Sequence, residues 1–406
     1  MAKSWFYLEN YVYVNTIAPD AVLLYNTLNH KILKYKNNSV YHFIEDMRSS
    51  CNNGVVEVDM GTLNQVLCEF IKDVRSCYMG DLLPLREGKK KPVLFPIEPT
   101  ILKEGHSYFH SGEDILYNIM EVTFYINGKC SLKCKDCNQY SKQFICCQKN
   151  ISNGELPVSI IETCLRDLGT SSLLQINITG GNIFDYSGLM ELVEVLNGYS
   201  FKKVYKINIK QITTTEKLLP IFENAKNSIE LLCTDFTDLE RAFNLYRLLK
   251  KNDQIKINVL IQSENELEQI NSLIDSDLEE SIIYTPYYNG NNESFFQQNI
   301  YISQEDLINV SAKSIKRNYL LNNFFFGKLV CLPDGNIYAD INEESLGNIY
   351  NDSFALMIYK ELQSNQSWLR IRRKIEPCSS CLFASMCPPL SNYEKVIGRN
   401  NLCLNR

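Results

Sequence analysis

The sequence predicts an α/β protein built on a mostly parallel sheet, and three observations carry that expectation. Between residues 122 and 284, six strand-like runs alternate with helical ones, and repeated strand–helix units imply parallel strands with helices packed outside them. A cysteine-bearing loop follows the first of these strands, where the active sites of such sheets form. Cysteines gather again in the tail, at 331, 378, 381, 387 and 403.

In chain order, residues 1–90 read as a small α+β unit. Residues 5–8, 11–15, 21–26 and 32–35 are short β-prone runs, with a turn at Leu28-Asn29-His30, and helical patterns follow over 41–48 and 63–73. The stretch 88–99, GKKKPVLFPIEP, holds three prolines and a run of three lysines, and reads as solvated linker within a segment set at 91–113. The α/β region spans 114–325. Its strands are expected at 122–126, 174–179, 204–209, 229–234, 255–261 and 281–284, and its helices at 158–168, 188–196, 216–225, 239–249 and 264–273. Six strands are too few for an eight-stranded barrel, so a partial (β/α)6 barrel or an open sheet is expected. After about Phe325 the helical rhythm fades, and 326–406 reads as a cysteine-rich extension.

At 406 residues, two or three domains are expected. Hydrophobic residues make up 45% and charged residues 22%, a balance that can bury large cores. A formal net charge of −6 argues against a general nucleic-acid surface. The opening MAKSWFYLENYVYV lacks a signal-peptide pattern, and no apolar run approaches the ~18 residues of a membrane span. A cytoplasmic location is expected, where fifteen cysteines suit metal ligation or burial better than disulfides.

The sharpest motif is Cys130-Ser-Leu-Lys-Cys134-Lys-Asp-Cys137. With this cysteine content, chance predicts about 0.02 occurrences of a fixed three-cysteine spacing. Three thiolates can hold three irons of a [4Fe–4S] cubane and leave the fourth open, whereas tetrahedral zinc wants a fourth ligand, which Cys146, Cys147 or a histidine could supply. The loop resembles the signature of the radical SAM family. The resemblance implies that the open iron binds S-adenosylmethionine (SAM) and that an electron from the cluster cleaves it to a 5′-deoxyadenosyl radical. Ile176-Asn-Ile-Thr-Gly180-Gly181-Asn182, at the next strand end, resembles the family's SAM-contacting loop, which gives Gly180, Gly181 and Asn182 a cofactor-binding role. The glycines would let backbone approach the ligand. The chain departs from the family at Asn182, where an acidic residue is usual, and at Asp136, where an aromatic is common.

The second cysteine set, Cys378-Ser-Ser-Cys381, Cys387 and Cys403, resembles the SPASM extension of radical SAM peptide maturases and implies an auxiliary [4Fe–4S] cluster with no open iron. A zinc ribbon is the other reading, since four cysteines also suit Zn²⁺. Cys331-Leu-Pro-Asp-Gly-Asn-Ile-Tyr resembles the opening of a SPASM domain, with Asp340 and Ser391 where further cysteines are expected, so Cys331 stands as a doubtful extra ligand. Cys51, Cys68, Cys77, Cys164 and Cys233 have no partner spacing and read as buried or packing residues. His30, His42, His106 and His110 are scattered and read as surface or packing residues.

The N-terminal unit is similar to the PqqD-like peptide-recognition (RRE) domains of peptide maturases, which bind a precursor's leader on a sheet edge. A structural extension is the plain alternative. Together these resemblances imply radical-SAM-type maturation of a ribosomally made peptide. Hydrogen abstraction from a precursor residue would lead to a thioether or carbon cross-link, with the precursor peptide, an external electron donor and a second maturase subunit as partners. No catalytic side chain is assigned. The opening Trp5-Phe-Tyr-Leu-Glu and Val22-Leu-Leu-Tyr-Asn-Thr also resemble the pseudo-radical-SAM partners of GG-type Bacteroidales systems. These would make the chain a catalytically degenerate protein that binds the precursor or a true maturase.

Overall fold

The computed structural model describes residues 3–86, 90–92, 110–149, 154–249, 252–364 and 366–404. Most of the expected linker, and His106, lie outside the described residues.

The N-terminal part holds two three-stranded antiparallel sheets. In one, β2 (Val12–Ile17), β3 (Ala21–Asn26) and β4 (Ile32–Lys36) run in order. In the other, β1 (Ser4–Leu8) is flanked by β5 (Val55–Val58) and β6 (Gly80–Pro84). The last two strands were not expected from sequence. Each is a short edge strand made by pairing with β1, as in Phe6 opposite both Val56 and Leu82, so their strand character comes from a distant partner. Helices Asn38–Arg48 and Gln65–Ser76 start at Asn37 and Asn64, whose side chains accept backbone N–H bonds from the first turn. Val40, Ile44, Phe70, Ile71 and Val74 turn inward to pack on Phe6, Val22 and Leu24.

The large sheet has nine strands in a linear order. Six parallel strands succeed one another: β7 (Glu121–Tyr125), β8 (Gln175–Thr179), β9 (Lys202–Asn208), β10 (Asn227–Cys233), β11 (Ile255–Ile261) and β12 (Ile282–Pro286). On the far side of β7 the chain returns as β13 (Lys328–Cys331), parallel to β7, followed by the antiparallel β14 (Asn336–Tyr338) and β15 (Gly347–Asn348). The sheet therefore extends three strands beyond the six expected. Its tail also contains the helix Phe354–Ser364, against the expectation that helical structure fades after Phe325. That helix buries Phe354, Met357 and Ile358. The helix expected over 216–225 is instead a 3₁₀ turn, Thr215–Leu218, and a single α-turn, Leu219–Phe222. Pro220 lacks an N–H and fits only a first helical turn, so one continuous helix cannot form there.

Alternation along the strands gives the sheet two chemically different faces. Val122, Phe124, Ile176, Ile178, Tyr205, Ile207, Leu231 and Val259 pack with the outer helices into one aliphatic core, each such side chain contributing roughly 1.5–3 kcal/mol on burial. The opposite face carries Glu121, Asn177, Lys206, Glu230 and Asn258, tied to each other. Asn177 donates to Glu121 at 2.6 Å, Asn258 donates to Glu230 at 2.8 Å, and Lys206 pairs with Glu230. Glu121, Lys206, Glu230 and Asn258 border a cavity of about 220 Å³ on this face, which Phe324, Phe325 and Lys328 also line.

Candidate metal centres

The loop after β7 sets up the first cysteine group. Beyond Tyr125 the chain is sewn to the end of β8. Ile126 N–H donates to Thr179 O (2.8 Å), Gly181 N–H to Asn127 O (2.8 Å), and Asn182 N–H to Lys129 O (2.5 Å). The Asn127 amide closes the same seam, accepting from Gly181 N–H at 3.0 Å and donating to Asn182 O at 2.9 Å. The two glycines are needed for this approach: a Cβ on Gly181 would lie 2.0 Å from Lys129 O, and one on Gly180 within 2.8 Å of Asn127 O. Closeness to the cysteine loop itself therefore explains the pair, without appeal to a ligand. Cys130 follows at once, and Cys137 opens the short helix Cys137–Gln143.

Cys130, Cys134 and Cys137 are each part-buried. Burial and the neighbouring Cys137 push the Cys134 thiol up, with Lys210 pulling the other way. Burial likewise raises Cys137, opposed by the Lys149 N–H that donates to its Sγ at 3.3 Å. The Gln211 side chain reaches both Gly181 O (2.6 Å) and, at 4.0 Å, Cys130 Sγ. Lys210 is held at the strand ends by Asp235 (2.7 Å) and Asp238 (3.2 Å). Burial disfavours its charge, but the two carboxylates outweigh that and raise its pKa. None of Asn127, Lys149, Lys210 or Gln211 was legible in the sequence: Asn127, Lys210 and Gln211 act through contacts with a different strand end, and Lys149 through a fold-back onto Cys137. Cys146 and Cys147 are buried beside Tyr140, Leu232, Leu260 and Tyr287. The Cys147 thiol is raised by burial and by the three loop cysteines, so it stands near them electrostatically.

Asn182 does not point its amide at an open site. Its side chain accepts from Phe184 N–H (3.2 Å) and donates to Asp185 (2.9 Å), capping the turn Ile183–Asp185. Asp136 sits just before the helix Cys137–Gln143 without capping it through its side chain.

The second group comes together around a cavity of about 750 Å³, bordered by Cys378, Cys381, Cys387 and Cys403 with Arg372. Successive tight turns arrange the first three: Cys381 N–H donates to Cys378 O, Ala384 N–H to Cys381 O, and Cys387 N–H to Phe383 O, all between 3.0 and 3.1 Å. Cys403 is brought in by a bridge to Ile302, through Ile302 N–H to Leu402 O (2.9 Å) and Leu404 N–H to Ile302 O (3.1 Å). Arg372 is buried and fully engaged, donating to Pro388 O (2.5 Å), Glu394 (2.6 Å) and, more weakly, Cys378 Sγ (3.8 Å). Burial works against its charge, and Glu394 with the thiols of Cys387 and Cys378 outweighs it. The Cys387 thiol is pushed up to about 12 by burial, against the pull of Arg372.

Cys331 is elsewhere. It is fully buried in β13 within the aliphatic core, and its thiol donates to Leu332 O. Asp340 pairs with Lys395, and Ser391 caps the helix Asn392–Ile397.

Among the described residues, no group of three or more His, Cys, Asp or Glu side chains is arranged so that it could hold a metal ion as it stands. By residue type, each cysteine set combines part-buried thiols with N–H or guanidinium donors near sulfur, groups of the kind that metal–thiolate centres use.

No family model and no curated protein matches the chain. Among solved structures it is similar to Streptococcus suis SuiB bound to S-adenosylmethionine, with a TM-score of 0.45 at 12% identity over 98% of this chain and 97% of that one. It is equally similar to SuiB bound to the precursor peptide SuiA (TM-score 0.45, 12% identity, 98% and 97% covered). It is also similar to anSMEcpe with bound AdoMet (TM-score 0.42, 12% identity, 66% and 84% covered). At TM-scores below 0.5, none of these likenesses bears on what this chain binds or does.

Proposed function

We propose that the chain is a radical-SAM-type protein that modifies a ribosomally made peptide. The observation that carries this reading is the position of the Cys130–Cys137 loop, at the C-terminal end of β7 and sewn to the Gly180–Gly181 loop of β8. Loops at the C-terminal strand ends are where parallel sheets place their chemistry. When bound on Cys130, Cys134 and Cys137, a [4Fe–4S] cluster would supply the electron for reductive cleavage of SAM, the source of the radical that abstracts hydrogen from a precursor residue on the way to a thioether or carbon cross-link. The residues present do the positioning: Lys149 and Gln211 direct N–H groups at sulfur, and Lys210 keeps a cation near Cys134. The polar sheet face with Glu121, Lys206, Glu230 and Asn258 offers hydrogen-bonding groups to a peptide side chain. In this reading residues 114–325 form a partial barrel, 326–406 a SPASM-like extension that holds an auxiliary cluster on Cys378, Cys381, Cys387 and Cys403, and 1–90 a peptide-recognition unit.

A second reading is a catalytically degenerate partner that binds the precursor or a true maturase. Its support is Asn182, whose side chain is engaged within its own turn, and Asp136, which stands in the place of an aromatic ring.

Electron paramagnetic resonance of the anaerobically reconstituted, reduced protein tests both readings, with and without SAM, beside a Cys130/Cys134/Cys137→Ala variant. A signal lost in the variant and shifted by SAM supports the enzyme. A signal lost in the variant but indifferent to SAM supports the partner. A signal unchanged in the variant refutes the cluster assignment.

A further inference from the structure

The segment that joins Cys381 to Cys387 has a second duty. Leu382, Phe383 and Met386 are buried, and they form one hydrophobic cluster with Tyr13, Leu23 and Tyr25 of β2 and β3. Cys381 and Cys387 themselves pack against that cluster. Asn15 of β2 donates its side-chain N–H to Leu382 O at 2.7 Å, in buried surroundings. On β4, Lys34 lies 5.6 Å over the Phe383 ring, and both Lys34 and Lys36 border the cysteine cavity with Arg372. Tyr25 adds a further anchor, its hydroxyl meeting Ile308 O and Val310 O, each at 2.9 Å, while Leu307 and Ile315 join the same cluster and the sheet's other face packs on the N-terminal helices.

The metal-ligand loop and the docking platform of the N-terminal sheet are therefore the same residues. The Leu382–Met386 segment is held by tight turns, by this contact, by Leu307 and Ile315 in the same cluster, and at its end by the Asn318 side chain, which donates to Cys387 O at 2.9 Å. A metal centre would fix both of its ends, and metal binding of this kind is paid into folding of the ligating segment. We propose that occupancy of the four-cysteine centre seats the N-terminal β2–β3–β4 sheet on the Leu382–Met386 loop, so that metal binding at one end of the chain and docking of the other are a single coupled equilibrium. This rests on the reading of Cys378, Cys381, Cys387 and Cys403 as metal ligands. It gives the centre a role that needs no electron transfer, and makes the N-terminal sheet's position a report on whether the centre is loaded. Coupling is reciprocal, so weakening the sheet contact must weaken metal retention by the same factor, typically ~5–150-fold.

Hydrogen exchange on the full chain tests it. The protein is reconstituted with iron and sulfide, or in parallel with Zn²⁺, and compared with a Cys378→Ser/Cys387→Ser variant that keeps the Cys130 loop intact. The expected result is at least about tenfold faster exchange of β2 and β3 amides in the variant, with β8–β10 unchanged. The reciprocal variant, Phe383→Ala with all cysteines present, is expected to release metal to a chelator more readily than the parent. Loss of metal from the cysteine variant with unchanged β2–β3 exchange overturns the coupling and leaves the metal reading standing. Equal metal content in parent and cysteine variant overturns both. Faster exchange throughout β8–β10 as well would mean global unfolding, and would overturn a specific seating role.

Discussion

The two cysteine groups offer the same thiol chemistry and are built in different ways. Cys130, Cys134 and Cys137 lie on one loop, and their surroundings come from the ends of neighbouring parallel strands through Gly181, Lys210 and Gln211. Cys378, Cys381 and Cys387 also share a segment, but Cys403 is recruited by its bridge to Ile302, and the wall is completed by Arg372, Lys34 and Lys36 from other parts of the chain. A loop perched on strand ends can change its ligands without disturbing the core. A centre assembled from three distant segments ties those segments together. On the proposed reading, the first group would serve chemistry and the second architecture.

Replacing Cys130, Cys134 and Cys137 together by alanine should break this comparison most directly. Iron bound at the loop and all SAM cleavage should be lost while the melting temperature moves by only a few degrees, as measured by iron and sulfide analysis, 5′-deoxyadenosine chromatography and calorimetry. A collapse in stability would show that both groups are structural. The Cys378→Ser/Cys387→Ser variant should do the reverse and lower unfolding stability by several kcal/mol, on the order expected when a structural metal is lost, read from urea denaturation. Gly181→Ala sharpens the contrast within the first site. Its Cβ would meet Lys129 O at 2.0 Å, so a cost of about 1–3 kcal/mol is expected from overpacking, together with weaker iron retention by the Cys130 loop.

The smallest effect concerns pH. Glu155 accepts from Ser187 Oγ (2.5 Å) and from Lys129 (3.3 Å), next to the first cysteine loop. The Ser187 bond holds its carboxyl below the usual range, with burial opposing and Lys129 assisting. A depressed carboxylate contributes stability above its unfolded pKa, near 4.5, and loses it as pH falls through the lower folded value. Ser187→Ala should therefore lower stability modestly at neutral pH and flatten its acid limb, so that parent and variant converge as pH falls below about 4.5, as read from unfolding midpoints between pH 7 and 3.

Much of the parallel sheet was legible because each strand carries a run of β-branched and aliphatic residues, as in Ile255–Ile261 (IKINVLI). These read as buried strands without any partner being known. β5 and β6 were not legible, since their residues become strand only by pairing with β1. The three-strand return of β13–β15 beside β7 was equally hidden: nothing in Lys328–Cys331 (KLVC) names β7 as its neighbour. Cys331 illustrates the same point at a candidate ligand, for its place in β13 puts its thiol in the aliphatic core and away from the four-cysteine cavity.

By itself the sequence determined which cysteines stand close along the chain, where strands and helices alternate, and which loop follows the first strand, because spacing and periodicity are local properties of the backbone. The grouping of Cys403 with Cys378, Cys381 and Cys387 came from the resemblance. Only the tertiary structure decided that a bridge to Ile302 brings Cys403 there, that Arg372 and Glu394 form a buried pair beside the group, and that the N-terminal sheet rests on its loop. Those contacts join residues separated by 22 positions, as in Arg372 and Glu394, up to 367, as in Asn15 and Leu382. They are selected by the burial of complementary surfaces, which no local pattern records.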